Sequence, residues 1–193
     1  ALRAAAAAGQ LCFGENYVQE GALKAQALLE GGIAAEIHLI GALQKNKARD
    51  AAQWFSAIDT VDSPELAARL NGQCERLEKS LPVLLEINLG EEQKAGFDFT
   101  AATALLARAE EFPRLQFEGL MAIPPLRADT QQSRQDFQIL AAEFSKLRER
   151  FAAPPPNHSI TRLSMGMSHD FELAIACGAT EVRIGTAIFG ARI

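Results

Sequence analysis

The chain has 193 residues, 48% of them hydrophobic, which suits one ordinary domain able to bury most of its apolar surface. A formal net charge of −5, with Lys and Arg scattered along the chain, argues against a basic nucleic-acid-binding face. The three cysteines, Cys12, Cys74 and Cys177, are odd in number and form no C-x-x-C pair, so a disulfide framework or zinc ribbon is not indicated and a reducing cytosol is the natural setting. No run of about 18 apolar residues marks a membrane span, and the Ala-rich opening with Arg3 lacks the apolar centre of a signal peptide.

In chain order, Ala1 to Gly9 is a strong helix former ending in glycine, and LCFGEN then reads as a short strand running into a loop. A helical pattern from Tyr17 to Leu29, closed by Gly31 and Gly32, precedes the strand EIHLIG. A helix from Lys45 to Trp54 precedes the strand SAIDTVD, and Ser63, Pro64 and Glu65 open the next helix in the favoured order of cap, N1 proline and early acid; it is expected to run to about Lys79. PVLLEINL is nearly continuous in apolar residues, as a strand covered on both faces would be. A polar loop, a helix from Thr100 to Glu111 and the strand FEGLMAI follow. The helix from Thr130 to Phe151 then leads through the Pro154-Pro155-Pro156 breaker to ITRLSMG, a helix from His169 to Cys177, and the strand TEVRIG.

Seven strands alternating with helices imply a parallel sheet with right-handed crossovers. Near-equal units without a switch point favour a closed (β/α)8 barrel over a doubly wound sheet. A chain that starts on a helix and supplies seven strands is then expected to hold strands two to eight of such a barrel, with the first strand upstream of Ala1 and residues 1–193 forming one domain.

Parallel barrels bind ligands at the C-terminal ends of their strands, with phosphate often held after the last two. Ser164-Met165-Gly166-Met167-Ser168 lies between a strand and the expected helix at His169, where Gly166 permits close backbone approach and the opening amides face an anion. The bland alternative is a simple N-cap by Ser168. Gly185 and Thr186 follow the last strand and can aim two amides and a hydroxyl at a phosphate. Arg183 alternates with Val182 and Ile184 and so faces away from them, either into the barrel, where its charge needs a partner, or out to solvent. His38, His158 and His169 show no metal-ligand spacing, and the carboxylates read as solvated charges. Lys94 lies at the ligand-bearing end, where it is a surface lysine or a secondary contact to ligand.

FGENYVQE (Phe13 to Glu20), IHLIGALQKNK (Ile37 to Lys47), EINLGEEQKAGF (Glu86 to Phe97), GLMAIPP (Gly119 to Pro125) and the long stretch from Leu163 to Arg192 resemble, in order, the pyridoxal phosphate homeostasis proteins of the YggS/PROSC type. That family shares its barrel with the N-terminal domain of alanine racemase. The resemblance implies a phosphate held by Ser164, Ser168, Gly185, Thr186 and backbone amides including that of Met165. It further implies that Arg183 faces the pyridine nitrogen and that Asn16 and His38 line the ring's surroundings. The family's Schiff-base lysine, in a motif like A-V-S-K on the first strand, has no counterpart in these residues.

The implied function is to carry or buffer pyridoxal 5′-phosphate without substantial catalysis, with pyridoxal phosphate-dependent apo-enzymes as possible recipients. The expected state is a monomer or weak dimer in the cytoplasm, with no nucleic-acid or membrane partner and no metal. The alternative function is a pyridoxal phosphate-dependent amino-acid racemase. Such an enzyme usually adds a β domain and a second base, often a tyrosine, and this chain holds one tyrosine, Tyr17.

Overall fold

The computed structural model describes residues 1–125, 127–152 and 158–190; the Pro154–Pro156 breaker and the last residues of the long matching stretch lie outside the described residues. Seven strands, β1 (Cys12–Glu15), β2 (Glu36–Leu39), β3 (Ala57–Val61), β4 (Leu81–Glu86), β5 (Leu115–Met121), β6 (His158–Met167) and β7 (Glu181–Arg183), form one all-parallel sheet in sequence order. Between and after them run α1 (Leu2–Ala7), α2 (Val18–Glu30), α3 (Ala48–Trp54), α4 (Pro64–Arg76), α5 (Phe99–Leu106), α6 (Thr130–Arg150), α7 (Phe171–Ala176) and α8 (Thr186–Phe189).

The sheet curls into a nearly closed barrel. In a flat sheet β2 and β6 would stand roughly 19 Å apart at ~4.8 Å per strand, yet His38 Nδ1 on β2 lies 3.1 Å from Arg162 Nη2 on β6. β1 and β7 are the two edges, and no pairing joins them among the described residues.

Alternation along each strand separates two environments. Ile37, Leu39, Ile58, Val83, Leu85, Leu120, Leu163 and Met165 join the helices in one continuous apolar cluster. The alternate positions, including Leu84 and Met121, face the barrel interior and are buried there. All five residues of β3 are buried, which is why this strand reads as an unbroken apolar run apart from Asp59 and Thr60.

The expected elements are present with four differences. The helix at Lys45 opens as a 3-10 turn, Lys45–Lys47, before α3. The helix after Ser63, whose Oγ accepts from the Leu66 amide at 3.3 Å, ends at Arg76, and Glu78 takes a left-handed φ of 52°. The helix expected over Thr100 to Glu111 splits into α5 and a 3-10 turn at Ala109–Glu111, which brings both Ala109 and Phe112 into the core, Phe112 edge-on to Phe117. Finally, Ser164 to Met167 belong to β6 rather than to a loop, and the following helix starts at Phe171 instead of His169 because residues 168–170 form a turn.

Candidate functional site

β6 and β7 build the centre of the site through their alternation. Leu163 and Met165 point into the helix-facing core, which sends Arg162 and Ser164 inward; β7 likewise sends Glu181 and Arg183 inward. Arg183 is buried, so the solvent-reaching alternative for its side chain does not apply. Its Nη1 donates to Ser164 Oγ at 2.7 Å and its Nη2 to the Ala122 carbonyl at 2.8 Å. Its Nε is buried without a hydrogen-bond partner among the described residues. Burial pulls the Arg183 pKa down, opposed by the carboxylates of Asp59 and Glu181.

Ser164 is fully buried and donates its hydrogen to Glu181 Oε1 at 3.1 Å. Its oxygen accepts from Arg183 Nη1, so in this structure the hydroxyl is engaged by Arg183 and Glu181. The Met165 side chain lies in the apolar core, which leaves only its backbone to face the site.

The second group lies beyond the ends of the same strands. Ser168 Oγ accepts from the Gly185 amide at 3.1 Å and, weakly, from the Ala187 amide at 3.5 Å. With both acceptor positions taken, the hydroxyl retains one donor. The Gly185 amide is thus spent on Ser168, while Thr186 is exposed at the start of α8. Gly166, with φ of 96°, serves the close approach of α7: a Cβ there would lie 2.6 Å from that of Ala174 and 3.2 Å from Cα of Phe171. Asp170 accepts from the Met167 amide at 2.7 Å and fixes the turn between them.

His38 belongs to the interior but at a lower level. Its Nδ1 is 3.6 Å from Asp59 Oδ2, and its Nε2 is 3.5 Å from Glu36 Oε2 and 3.6 Å from Cys12 Sγ. Burial opposes a charge on this ring, but the Asp59 carboxylate and the Cys12 sulfur outweigh it and push its pKa up to about 10. Arg162 joins the levels, with Nη1 2.9 Å from Glu118 and Nε 3.0 Å from Glu181. A continuous line of polar contacts therefore runs His38, Arg162, Glu181, Ser164, Arg183. Asn16, in the turn after β1, is exposed and is not on this line, although its backbone packs so closely on Gly41 that a Cβ there would come within 2.2 Å of its carbonyl oxygen.

Asp59, Glu118, Arg162 and Glu181 are the residues that the sequence reading missed. The parity that turns Arg183 inward also turns Glu181 inward, and the parity of Ser164 turns Arg162. Lys94 is engaged by the Ile123 carbonyl and by Glu91 at 3.2 Å, in a loop that Asn88 ties together through Glu91 and Lys94. His169 is exposed beside Asp170, at 3.2 Å.

Residues 1–193 match the alanine racemase N-terminal domain family. The chain is 43% identical over 193 residues to the pyridoxal phosphate homeostasis protein of Haemophilus influenzae, covering all of this chain and 80% of that protein. It is equally identical over 194 residues to the Escherichia coli K12 protein of the same name, with the same coverage. Among solved structures, PipY of Synechococcus elongatus PCC7942 with PLP bound superposes with a TM-score of 0.86 at 39% identity, over 98% of this chain and 86% of that one. Alanine racemase from Clostridium difficile 630, 16% identical with a TM-score of 0.70 over 94% of this chain and 45% of that one, shares the fold. The chain belongs to the pyridoxal phosphate homeostasis protein family, built on the alanine racemase N-terminal barrel.

Proposed function

We propose that residues 1–193 form one cofactor-binding domain that carries or buffers pyridoxal 5′-phosphate in the cytoplasm and releases it to apo-enzymes, without substantial turnover of its own. The observation that carries this reading is the unpartnered Nε of buried Arg183, a directed donor for a ring nitrogen, beside a turn whose Ser168 and Thr186 hydroxyls remain able to donate to phosphate. The PLP-bound structure of PipY supports the same ligand. When bound, the cofactor supplies an aldehyde and an electron-withdrawing ring.

The chain's own residues bind and orient. Ser164 and the Ala122 carbonyl fix the plane of the Arg183 guanidinium, and Glu181 fixes Ser164. An arginine does not readily give up a proton, so it leaves the ring nitrogen unprotonated and its electron-withdrawing power weak. Among the described residues no tyrosine faces the barrel interior: Tyr17, the one tyrosine of these 193 residues, is exposed on the turn before α2.

The test is α-proton exchange in deuterium oxide across a panel of L- and D-amino acids, using the cofactor-loaded full-length protein. Slow, incidental exchange is expected. Turnover of about 1 to 1,000 per second, the ordinary enzyme range, would replace the carrier reading with that of a racemase. A lack of cofactor binding in a fluorescence titration would remove both.

A further inference from the structure

We propose that Cys12, Glu36 and His38 form a divalent-metal site of the zinc type at the N-terminal end of the barrel, distinct from the cofactor mouth.

The register of the sheet builds the triad. Cys12 pairs with Glu36 at the first positions of β1 and β2, and Gly14 pairs with His38 two residues further on. Alternation puts all three side chains on one face. Their ligand atoms lie within 4.8 Å of one another. Tetrahedral zinc with bonds of about 2.3 Å to sulfur and about 2.0 to 2.2 Å to nitrogen and oxygen needs edges of roughly 3.6 Å for S···N and roughly 3.4 Å for N···O. The structure gives 3.6 Å between Cys12 Sγ and His38 Nε2, and 3.5 Å between His38 Nε2 and Glu36 Oε2. Little movement of these two pairs is needed to admit the ion.

The other side of the imidazole carries an independent sign. Asp59 is fully buried, neither of its carboxylate oxygens has a hydrogen-bond partner among the described residues, and it is aimed at His38 Nδ1 from 3.6 Å. With a metal on Nε2 the proton sits on Nδ1, 3.6 Å from Asp59 Oδ2, and the Arg162 guanidinium, whose Nη2 lies 3.1 Å from Nδ1, must draw back toward Glu118 and Glu181 for that carboxylate to stand behind the histidine. A second acidic grouping, His38, Asp59 and Glu181, does not compete, because the guanidinium of Arg162 already sits against Asp59, Glu118 and Glu181. On binding, the Cys12 thiol and the Nε2 of His38, whose pKa of about 10 keeps the ring protonated at neutral pH, each give a proton to the buffer as their bonds to the metal form; thiolate and Glu36 carboxylate then neutralise the dication.

The experiment is a titration of the purified protein with cobalt(II), without and with pyridoxal phosphate, followed by displacement with zinc(II). One cobalt per chain is expected, with a thiolate-to-cobalt charge-transfer band. Cys12→Ser should abolish the band and Cys177→Ser should keep it. Glu36→Gln should weaken binding several-fold, and Asp59→Asn about 10- to 100-fold. Circular dichroism controls for folding of each variant, and X-ray absorption of the zinc-loaded unmutated protein should show one sulfur neighbour without any substitution. Absence of the band, its survival in Cys12→Ser, an affinity unchanged in Glu36→Gln, or zinc lacking a sulfur neighbour would overturn the site. Cofactor binding is read separately and stands or falls on its own.

Discussion

Ser164 and Arg183 show how much one hydroxyl can organise. Ser164→Ala removes the acceptor of Arg183 Nη1 and the donor to Glu181, leaving the buried Arg183 and the half-buried Glu181 each short of a partner at a cost of about 1 to 3 kcal/mol. Isothermal denaturation should show that loss, and a fluorescence titration should show pyridoxal phosphate bound several-fold to a hundred-fold more weakly. Thr186→Val, at an exposed position, should weaken binding while leaving the denaturation midpoint unchanged. The inward face of Arg183 was legible from its alternation with Val182 and Ile184. The partners Arg162, Glu181 and Asp59 were not, because a contact across a barrel joins residues up to 124 positions apart and depends on the curl of the sheet, which no local pattern encodes.

The short elements at the C-terminal end are held by close packing, not by length. α7 has six residues and lies against Gly166, so Gly166→Ala meets both backbone strain at φ 96° and contact with Ala174 and Phe171. A loss of about 2 to 4 kcal/mol is expected, with displacement of α7 and weaker cofactor binding. The midpoint of thermal unfolding reports the first effect. α4 offers a control far from the site: Ser63→Ala loses its N-cap, worth about 1 kcal/mol, and should lower the melting temperature by roughly 2 to 4 °C with cofactor affinity intact.

β6 opens on His158, buried against Phe151 and Phe117 with ring centroids 5.6 and 5.8 Å away. Burial pulls its pKa below the ordinary 6.5. The unfolded chain therefore takes up this proton first, so the stabilising contribution is complete above pH 6.5 and declines as the pH falls below it. His158→Phe should remove that part of the acid sensitivity, as followed by denaturant midpoints across the acidic range. The helix limits that the sequence misplaced share one cause: residues 168–170 and 107–112 have helix-compatible composition, and tertiary anchors, the Met167 amide on Asp170 and the burial of Ala109 and Phe112, set the turns there.

At the scale of the whole barrel, the strand count and the parallel order were legible because short strand-like segments alternate with helices along the chain, most plainly at β4, whose apolar run is covered on both faces. What ties the barrel across its interior is Arg162, engaged with Glu118, Glu181 and Asp59. Arg162→Gln leaves these carboxylates without their cation and should cost about 3 kcal/mol or more, measurable by chemical denaturation. The same line of contacts, from His38 through Arg162, Glu181 and Ser164 to Arg183, has a thermodynamic consequence. It gives a charge beside His38 an unbroken path of polar contacts to Glu181, Ser164 and Arg183 at the opposite mouth. Reciprocity then requires that whatever factor a ligand at one mouth imposes on affinity at the other is returned unchanged in the reverse direction.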